Sequence, residues 1–250
     1  MRAAYVFLAL PLFFCGAACA AMPALQVQVD GVKSGEPIPA AQAVCLPTTD
    51  GKSDASGKNI RPTISWSGAP KGTESFAIFI MDPDVPADFS DAGKAGKVIA
   101  KDAKRQDFYH YGLVNLPATS TRVIDNTGNI DKNLGYPLYI NPSDPAHGTI
   151  ELLNDMGLNN YVKPATAYGG PCPPWNDARV HHYHYIVLAL DKDAPANIPC
   201  PNNSADPAAF CNTAKNTFTR LITSKHVLAK GVVIGTYTLN QTLYKQPEKR

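Results

Sequence analysis

The segment that most constrains the fold is Ser75 to Met81 (SFAIFIM), which is apolar from its second residue onward. Successive side chains of a strand point to opposite faces, so a strand without polar alternation must be covered on both sides. The segment therefore predicts the central strand of a sheet that is packed on both faces. Other short runs rich in β-branched and aromatic residues predict further strands at Leu25–Val29, Thr63–Trp66, Tyr109–Leu116, Tyr183–Leu190 and Val232–Leu239.

One segment near the C-terminus has helical rather than strand periodicity. Asp206-Pro207 is a suitable N-cap and first-turn pair, and Gly231 is expected to end the helix or the turn after it. The apolar residues that recur at helical spacing are Phe210, Ala214, Phe218, Leu221 and Ile222. The polar segments 88–106 and 126–160 show no sustained period and predict surface loops.

The N-terminus resembles a secretory leader. One positive charge at Arg2 precedes an apolar run from Ala3 to Phe14 and small residues up to Ala21. We therefore expect a signal peptide at residues 1–21, a single domain over residues 22–250 and a periplasmic or secreted location. No second long apolar run follows, so stable membrane insertion is not expected. The net charge of +2 gives no long-range attraction to nucleic acid, so no nucleic-acid partner is expected either.

The cysteine count supports an oxidising location. After removal of the leader, four of the six cysteines remain, which is an even number and favours disulfides. Four cysteines allow three pairings. Cys200 and Cys211 are close in sequence around a loop rich in Pro and Asn, which favours pairing them and leaves Cys45 with Cys172. The spacing does not fit a structural zinc site, so no metal is expected there.

Three segments carry side chains suited to a binding site. The first, DPDVP (82–86), follows the most apolar strand and places two acids on one face between stiff prolines. The second, FYHYGLVN (108–115), puts Phe108 and His110 on one face of a strand. In the third, the turn YGGPCPPW (168–175) precedes VHHYHY (180–185), where His181 and Tyr183 share a face. Each segment alone could also be an ordinary turn or a structural strand.

Taken together, these segments resemble the phosphatidylethanolamine-binding family, in particular its bacterial, Raf-kinase-inhibitor-like branch. The motifs that carry the resemblance occur in the same order along the chain: DPDVP (82–86), YHYGLVNLP (109–117), GGPCPPWND (169–177) and VHHYHYIVLALD (180–191). The resemblance extends from about Leu25 to Leu239. It implies a mainly β fold, namely the family's β-sandwich of antiparallel strands with a C-terminal helix.

The resemblance also implies a ligand and a set of pocket residues. The expected function is non-enzymatic binding of a small anion or a phospholipid head group, with regulatory or inhibitory binding to a protein partner as a further expectation. No cofactor, metal or catalytic residue is expected. The positions that match the family's pocket are Asp82, Asp84, Pro86, Phe108, His110, Gly170, Pro173, Pro174, His181 and Tyr183.

A binding mechanism can be outlined from these residue types. Asp82 would accept a hydrogen bond from His110 or His181 and so favour an imidazolium, which would donate to the anion. Tyr183 and backbone amides near Gly170 would add further donors.

Two other function classes remain open. One is a hydrolase that uses Asp82, His110 and His181 as acid and base or as metal ligands. The other is an exported protease inhibitor that acts through its long loops.

Overall fold

The computed structural model describes residues 23–124, 149–194 and 213–243. Within them, two α-helices, α1 (Asp155–Leu158) and α2 (Ala214–Ile222), accompany a 3-10 turn at Ala40–Gln42. The strands are β1 (Gln26–Val29), β2 (Leu46–Pro47), β3 (Ser53–Asp54), β4 (Ile64–Ser67), β5 (Ser75–Pro86), β6 (Arg105–Pro117), β7 (Arg122–Val123), β8 (Ile150–Glu151), β9 (His181–Leu190) and β10 (Val227–Tyr237).

The apolar strand β5 lies in the middle of the larger sheet. That sheet is antiparallel, with the strand order β10-β9-β5-β6-β8. Side chains of β5 alternate between two cores: Phe76, Ile78 and Ile80 pack on one face, and Ala77 and Phe79 pack on the other. The prediction of a central strand covered on both sides is therefore confirmed. Because successive side chains of a strand point to opposite faces, one apolar run contributes side chains to both cores.

Each face of the larger sheet has its own cover. A smaller sheet of strands β1, β4 and β7 packs on the first face, where the ring centroid of Trp66 lies 5.1 Å from that of Phe76. Helix α2 packs on the second face, where the centroid of Phe218 lies 5.1 Å from that of Phe79. The protein is thus a mainly β sandwich of antiparallel strands with a helix toward the C-terminus, which is the predicted fold.

Helix α2 begins later than the sequence predicted. Thr213 has an extended backbone, and its hydroxyl accepts the N–H of Asn216 at 3.1 Å, so Thr213 is the N-cap. The predicted start at Asp206-Pro207 lies outside the described residues. Gly231 was expected to end the helix or the following turn, but it lies inside β10. There a Cβ atom would lie 2.6 Å from the carbonyl oxygen of Leu25, so the glycine permits close packing of the N-terminal segment.

Two segments outside the predicted strands contain regular structure. The acidic segment 82–86 was expected to follow the central strand, but β5 continues through it to Pro86 and pairs there with Arg105. Register shifts between Asp82 and Val85 show that the pairing is irregular at this point, which accommodates Pro83 within the strand. The segment 126–160 includes β8 and α1 in its described part.

The predicted disulfide between Cys45 and Cys172 is present, with the two Cα atoms 4.8 Å apart. A disulfide is compatible with export to an oxidising compartment. The predicted signal peptide and the second predicted pair, Cys200 with Cys211, lie outside the described residues. None of the helices formed by the described residues has the length and apolar character needed to cross a bilayer.

Candidate ligand-binding site

Strands β5, β6 and β9 bring several of the predicted site residues to one small cavity of about 30 Å³. The turn at residues 169–177 forms a wall of the cavity, and the disulfide holds this turn to Cys45. Seven predicted residues line the cavity: Asp82, Phe108, His110, Pro173, Pro174, His181 and Tyr183. Five other residues complete the lining: Val85, Phe89, Met156, Tyr161 and Cys172.

The ring of His110 is held by the backbone of the cavity wall. Its Nδ1–H donates to the carbonyl oxygen of Gly169 at 2.7 Å, and the N–H of Gly169 donates to the carbonyl oxygen of His110 at 3.0 Å. Burial lowers the pKa of His110 more than the charge of Asp82 raises it, so the ring is neutral near pH 7. With its proton on Nδ1, the neutral ring presents Nε2 as an acceptor. This atom is buried and has no hydrogen-bond partner within the described residues.

The ring of His181 is held by two carboxylates. Its Nδ1 lies 2.7 Å from Oδ2 of Asp82, and its Nε2 lies 3.1 Å from Oδ2 of Asp177. Both ring nitrogens must donate in this arrangement, so His181 is an imidazolium. Burial alone would lower the pKa of His181, but the two carboxylates outweigh burial and raise the pKa to about 9.

A second cation completes this buried cluster. The guanidinium of Arg105 binds Asp177 in a bidentate manner, with N–O distances of 2.5 and 3.0 Å. Burial would raise the pKa of Asp177, but the hydrogen bonds from His181 and Arg105 lower it overall. Asp82 and Asp177 are therefore balanced by His181 and Arg105, which gives the cluster no net charge. This balance explains how carboxylates can lie beside a pocket expected to hold an anion.

The geometry changes the predicted binding mechanism. The hydrogen bond from His181 to Asp82 is present as predicted, but His181 has no N–H left to donate to a ligand. Asp82 is bound by the protein as well, because its Oδ1 accepts the N–H of Asp84 at 2.8 Å and its carboxylate interacts with the hydroxyl of Tyr183. The backbone N–H of Gly170 donates to Oδ1 of Asn59 at 2.7 Å and is not available either. The acceptor Nε2 of His110 remains.

A family profile described as phosphatidylethanolamine-binding protein matches residues 28–238. The chain belongs to this family. The resemblance seen in the sequence is thereby confirmed for nearly the whole described chain.

Several known proteins are similar to this chain. The UPF0098 protein YbcL of Escherichia coli is 32% identical over 60% of this chain, and YbhB of the same organism is 30% identical over 54%. These matches span 61% and 62% of the length of the two relatives. The crystal structure of YbcL, described as a new member of the mammalian PEBP family, has a TM-score of 0.53 and 26% identity, and covers 86% of this chain and 98% of that one.

Three residues that match the family's pocket positions do not line the cavity. Asp84 is buried beside it, where its carboxylate accepts from Nε of Arg179 at 2.9 Å and from Nδ1 of His182 at 2.6 Å. Pro86 lies at the end of β5 and pairs with Arg105. Gly170 packs against the backbone of Gln42. All three support the walls, because their contacts are with the protein chain.

Sequence reasoning missed Asp177 and Arg105, the two residues that complete the buried cluster. A signal for Asp177 was present, since it ends the motif GGPCPPWND four residues before His181. Arg105 carries no such signal, because it is 72 residues away and only the fold brings it to Asp177. Phe89 was missed because it belongs to the segment 88–106, which predicted a surface loop, and Tyr161 was missed because it directly follows the predicted loop 126–160.

The hydrolase interpretation required Asp82, His110 and His181 to act as an acid–base set or as metal ligands. In the structure Asp82 and His181 bind each other, and His181 also binds Asp177. Across the described ranges, no group of three or more His, Cys, Asp or Glu side chains is arranged to hold a metal ion. Of these three residues, the neutral His110 alone has a ring nitrogen without a hydrogen-bond partner among the described residues.

We expect the substitution Gly170→Ala to destabilise the protein by about 1–3 kcal/mol, as overpacking does in a close-packed interior. A Cβ at this position would overlap the carbonyl oxygen of Gln42, which is backbone and cannot turn aside. Chemical denaturation would measure the loss. Gly35→Ala gives the comparison, because Gly35 has nothing within 4 Å of its Cβ direction and should lose only the roughly 1–2 kcal/mol that a positive φ costs an alanine. A Gly170→Ala variant as stable as the wild type would contradict the packing argument.

Proposed function

We propose that this protein binds a small oxygen acid without turnover, such as inorganic phosphate, a phosphate-ester head group or a carboxylate, in the cavity beside His110. Membership of the phosphatidylethanolamine-binding protein family is consistent with ligand binding. The observation that carries the proposal is Nε2 of His110, which is buried and has no hydrogen-bond partner among the described residues, in a cavity where His181 and Asp82 already bind each other. The disulfide supports an exported protein that performs this binding in an oxidising compartment.

The chemistry of the cavity sets the protonation state of the bound pair. Because His110 offers an acceptor, a ligand oxygen can bind there only if one proton lies between the oxygen and Nε2. Either the ligand brings this proton as a monoprotonated phosphate ester, or His110 takes it up and binds the anion as an imidazolium. In both cases one proton is bound together with each ligand. The aromatic ring of Phe108 and the two prolines supply the apolar part of the cavity.

We expect affinity for a phosphate monoester such as phosphoethanolamine to fall as the pH rises. The pKa of free His110 is lowered, and a phosphate monoester loses its second proton with a pKa of about 6, so above roughly pH 6.5 neither group supplies the shared proton. The logarithm of the association constant should therefore approach a slope of −1 per pH unit between about pH 6.5 and 8.5, which corresponds to one proton taken up per ligand. Calorimetric titration at several pH values would measure this slope.

The variant His110→Asn tests which histidine is responsible. It removes the acceptor that faces the cavity and should lower phosphate affinity by about tenfold or more, as for one lost charge-assisted hydrogen bond. The matched control is His184→Asn, because His184 lies on the same sheet but does not line the cavity. A wild-type affinity that does not change with pH, or equal binding by both variants, would refute the proposed function.

A further inference from the structure

Two histidines lie on the face of β9 that is turned away from the candidate ligand-binding site. His182 and His184 share the face on which Ile186 joins the core under α2, whereas His181 and Tyr183 line the cavity on the other face. Burial decreases along this face toward the start of the strand. Ile186 is buried, His184 is half-buried, and the side chain of His182 is 46% exposed. Both imidazoles are therefore at the end of this face that is open to solvent.

The spacing of His182 and His184 suits the binding of one ion by both rings. Side chains at i and i+2 of a strand point to the same side, and a rise of about 3.3 Å per residue separates their Cα atoms by roughly 6.6 Å. Two imidazoles that lean together across this gap can reach one ion at nitrogen–metal distances of about 2.0–2.1 Å. Imidazole is a ligand suited to copper, zinc and nickel. The pair thus supplies two metal ligands from one rigid element.

The ring of His182 is held by a carboxylate, as the rings of metal-binding histidines usually are. Its Nδ1 donates to Oδ2 of Asp84 at 2.6 Å, and its backbone N–H donates to the same oxygen at 3.0 Å. Asp84 is itself fixed by Nε of Arg179 at 2.9 Å. Because Nδ1 is occupied, the ring can offer only Nε2 to an ion. The carboxylate fixes the orientation of the ring and makes Nε2 a more basic ligand.

The ring of His184 is available to an ion as well. Among the described residues, no hydrogen bond engages this ring. Burial lowers the pKa of His184, and the charge of the neighbouring His182 lowers the pKa further, so His184 is neutral near pH 7. The neutral imidazole is the form that coordinates metals. The carboxylates of Asp84 and Asp107 act on His184 in the opposite direction, and their negative charge favours a cation beside it.

From these observations we propose that His182 and His184 together bind one divalent transition-metal ion, and that Cu²⁺ is bound most tightly. Within the described ranges, no third His, Cys, Asp or Glu side chain is placed to join them, so water completes the coordination. Copper is favoured over zinc and nickel because the affinity of a given site generally follows the Irving–Williams order. The proposal is independent of phosphate binding, because neither histidine lines the cavity at His110.

The test is a titration of the full chain with Cu²⁺ in a buffer that does not bind metals, followed by electron paramagnetic resonance. We expect the wild type to bind a copper ion whose spectrum shows coupling to two imidazole nitrogens. His184→Gln should lower the affinity about tenfold or more, since even the loss of an outer-shell partner costs that much, and should leave one coupled nitrogen. His226→Gln is the matched control. His226 also binds a carboxylate, Oδ1 of Asp191 at 2.8 Å, but Ser224 and Leu228 are the residues two positions away.

A gain of affinity tests the site independently of any loss of folding. Thr236 lies directly opposite His182 on β10, where facing Cβ atoms are about 4.5–5.5 Å apart. Thr236→His should therefore tighten Cu²⁺ binding and add a third coupled nitrogen. A wild-type spectrum without coupling to two nitrogens overturns the proposal, and so does a His184→Gln variant that binds copper as the wild type does. A folded Thr236→His variant that binds copper no more tightly than the wild type also contradicts it.

Discussion

The substitution His181→Gln is expected to lower the free energy of unfolding by about 3–5 kcal/mol, the cost of removing one partner from a buried ion cluster. Glutamine keeps most of the volume of the histidine but has no charge. It would leave Asp82 and Asp177, which are 1% and 0% exposed, with Arg105 as the one remaining cation of the cluster. Urea denaturation monitored by tryptophan fluorescence measures this loss.

The neighbouring residue provides a matched control. His182 also binds a carboxylate, that of Asp84, but its side chain is 46% exposed. His182→Gln should therefore cost about 1 kcal/mol or less, as for other solvent-exposed ion pairs. If both substitutions cost the same, the buried cluster does not contribute as the structure indicates.

The same cluster predicts how stability depends on pH. The folded pKa of His181 is about 9, above the ordinary value of 6.5, so its stabilising contribution is complete below about pH 6.5. The contribution is lost as the pH rises through 9 and amounts to about 3 kcal/mol, since one pKa unit corresponds to roughly 1.4 kcal/mol. His181→Gln should remove this slope from the pH profile of the unfolding free energy. A wild-type profile that is flat from pH 6.5 to 9 would argue against a charged His181.

The second large effect is expected from the disulfide. Replacing Cys45 and Cys172 together by alanine should lower the free energy of unfolding by about 2–4 kcal/mol, because the bridge closes a loop of 127 residues in the unfolded chain. The free energy of phosphate binding should change less than the free energy of unfolding does. The N–H groups of Val44 and Cys45 still donate to the carbonyl oxygen of Pro171, at 3.1 and 3.2 Å, and keep the cavity wall in place.

A second cysteine pair gives the comparison for this experiment. If Cys200 and Cys211 form the other predicted disulfide, they close a much shorter loop, so replacing both by alanine should cost less. Alkylation of the unreduced, denatured protein followed by peptide mapping would report which thiols are free. A free Cys45 thiol in the wild type would contradict the disulfide.

Much of the fold could be predicted because the strongest signal was local. The run from Phe76 to Met81 contains no polar side chain that could face solvent. Both faces of this strand therefore had to be covered, as they are in the structure. The start of α2 differs from the prediction because Thr213 has an extended backbone and caps the helix there, which the helical spacing of apolar residues from Phe210 onward does not reveal. Strand β5 was predicted too short because proline normally ends a strand, whereas the irregular pairing near Val85 accommodates it.

The site could be predicted only in part, because its chemistry depends on contacts between distant segments. Strand alternation placed Phe108 and His110 on one face of β6, and His181 and Tyr183 on one face of β9. All four side chains line the cavity. Their roles were not accessible from the sequence. No local pattern shows that Gly169 fixes the proton of His110 on Nδ1, or that Asp177 occupies the second nitrogen of His181. Of the two histidines predicted as possible donors, the charged His181 is therefore occupied by carboxylates, and the neutral His110 presents an acceptor instead.

The most direct test of the account is nitrogen-15 NMR of the histidine rings with and without phosphate at about pH 6.5. Without ligand, we expect His110 to carry its proton on Nδ1 and to have a bare Nε2, and His181 to be doubly protonated. Phosphate should shift Nε2 of His110 strongly toward the protonated value and leave both nitrogens of His181 nearly unchanged. A shift confined to His181, with Nε2 of His110 unaffected, would contradict the central claim that the ligand binds at His110.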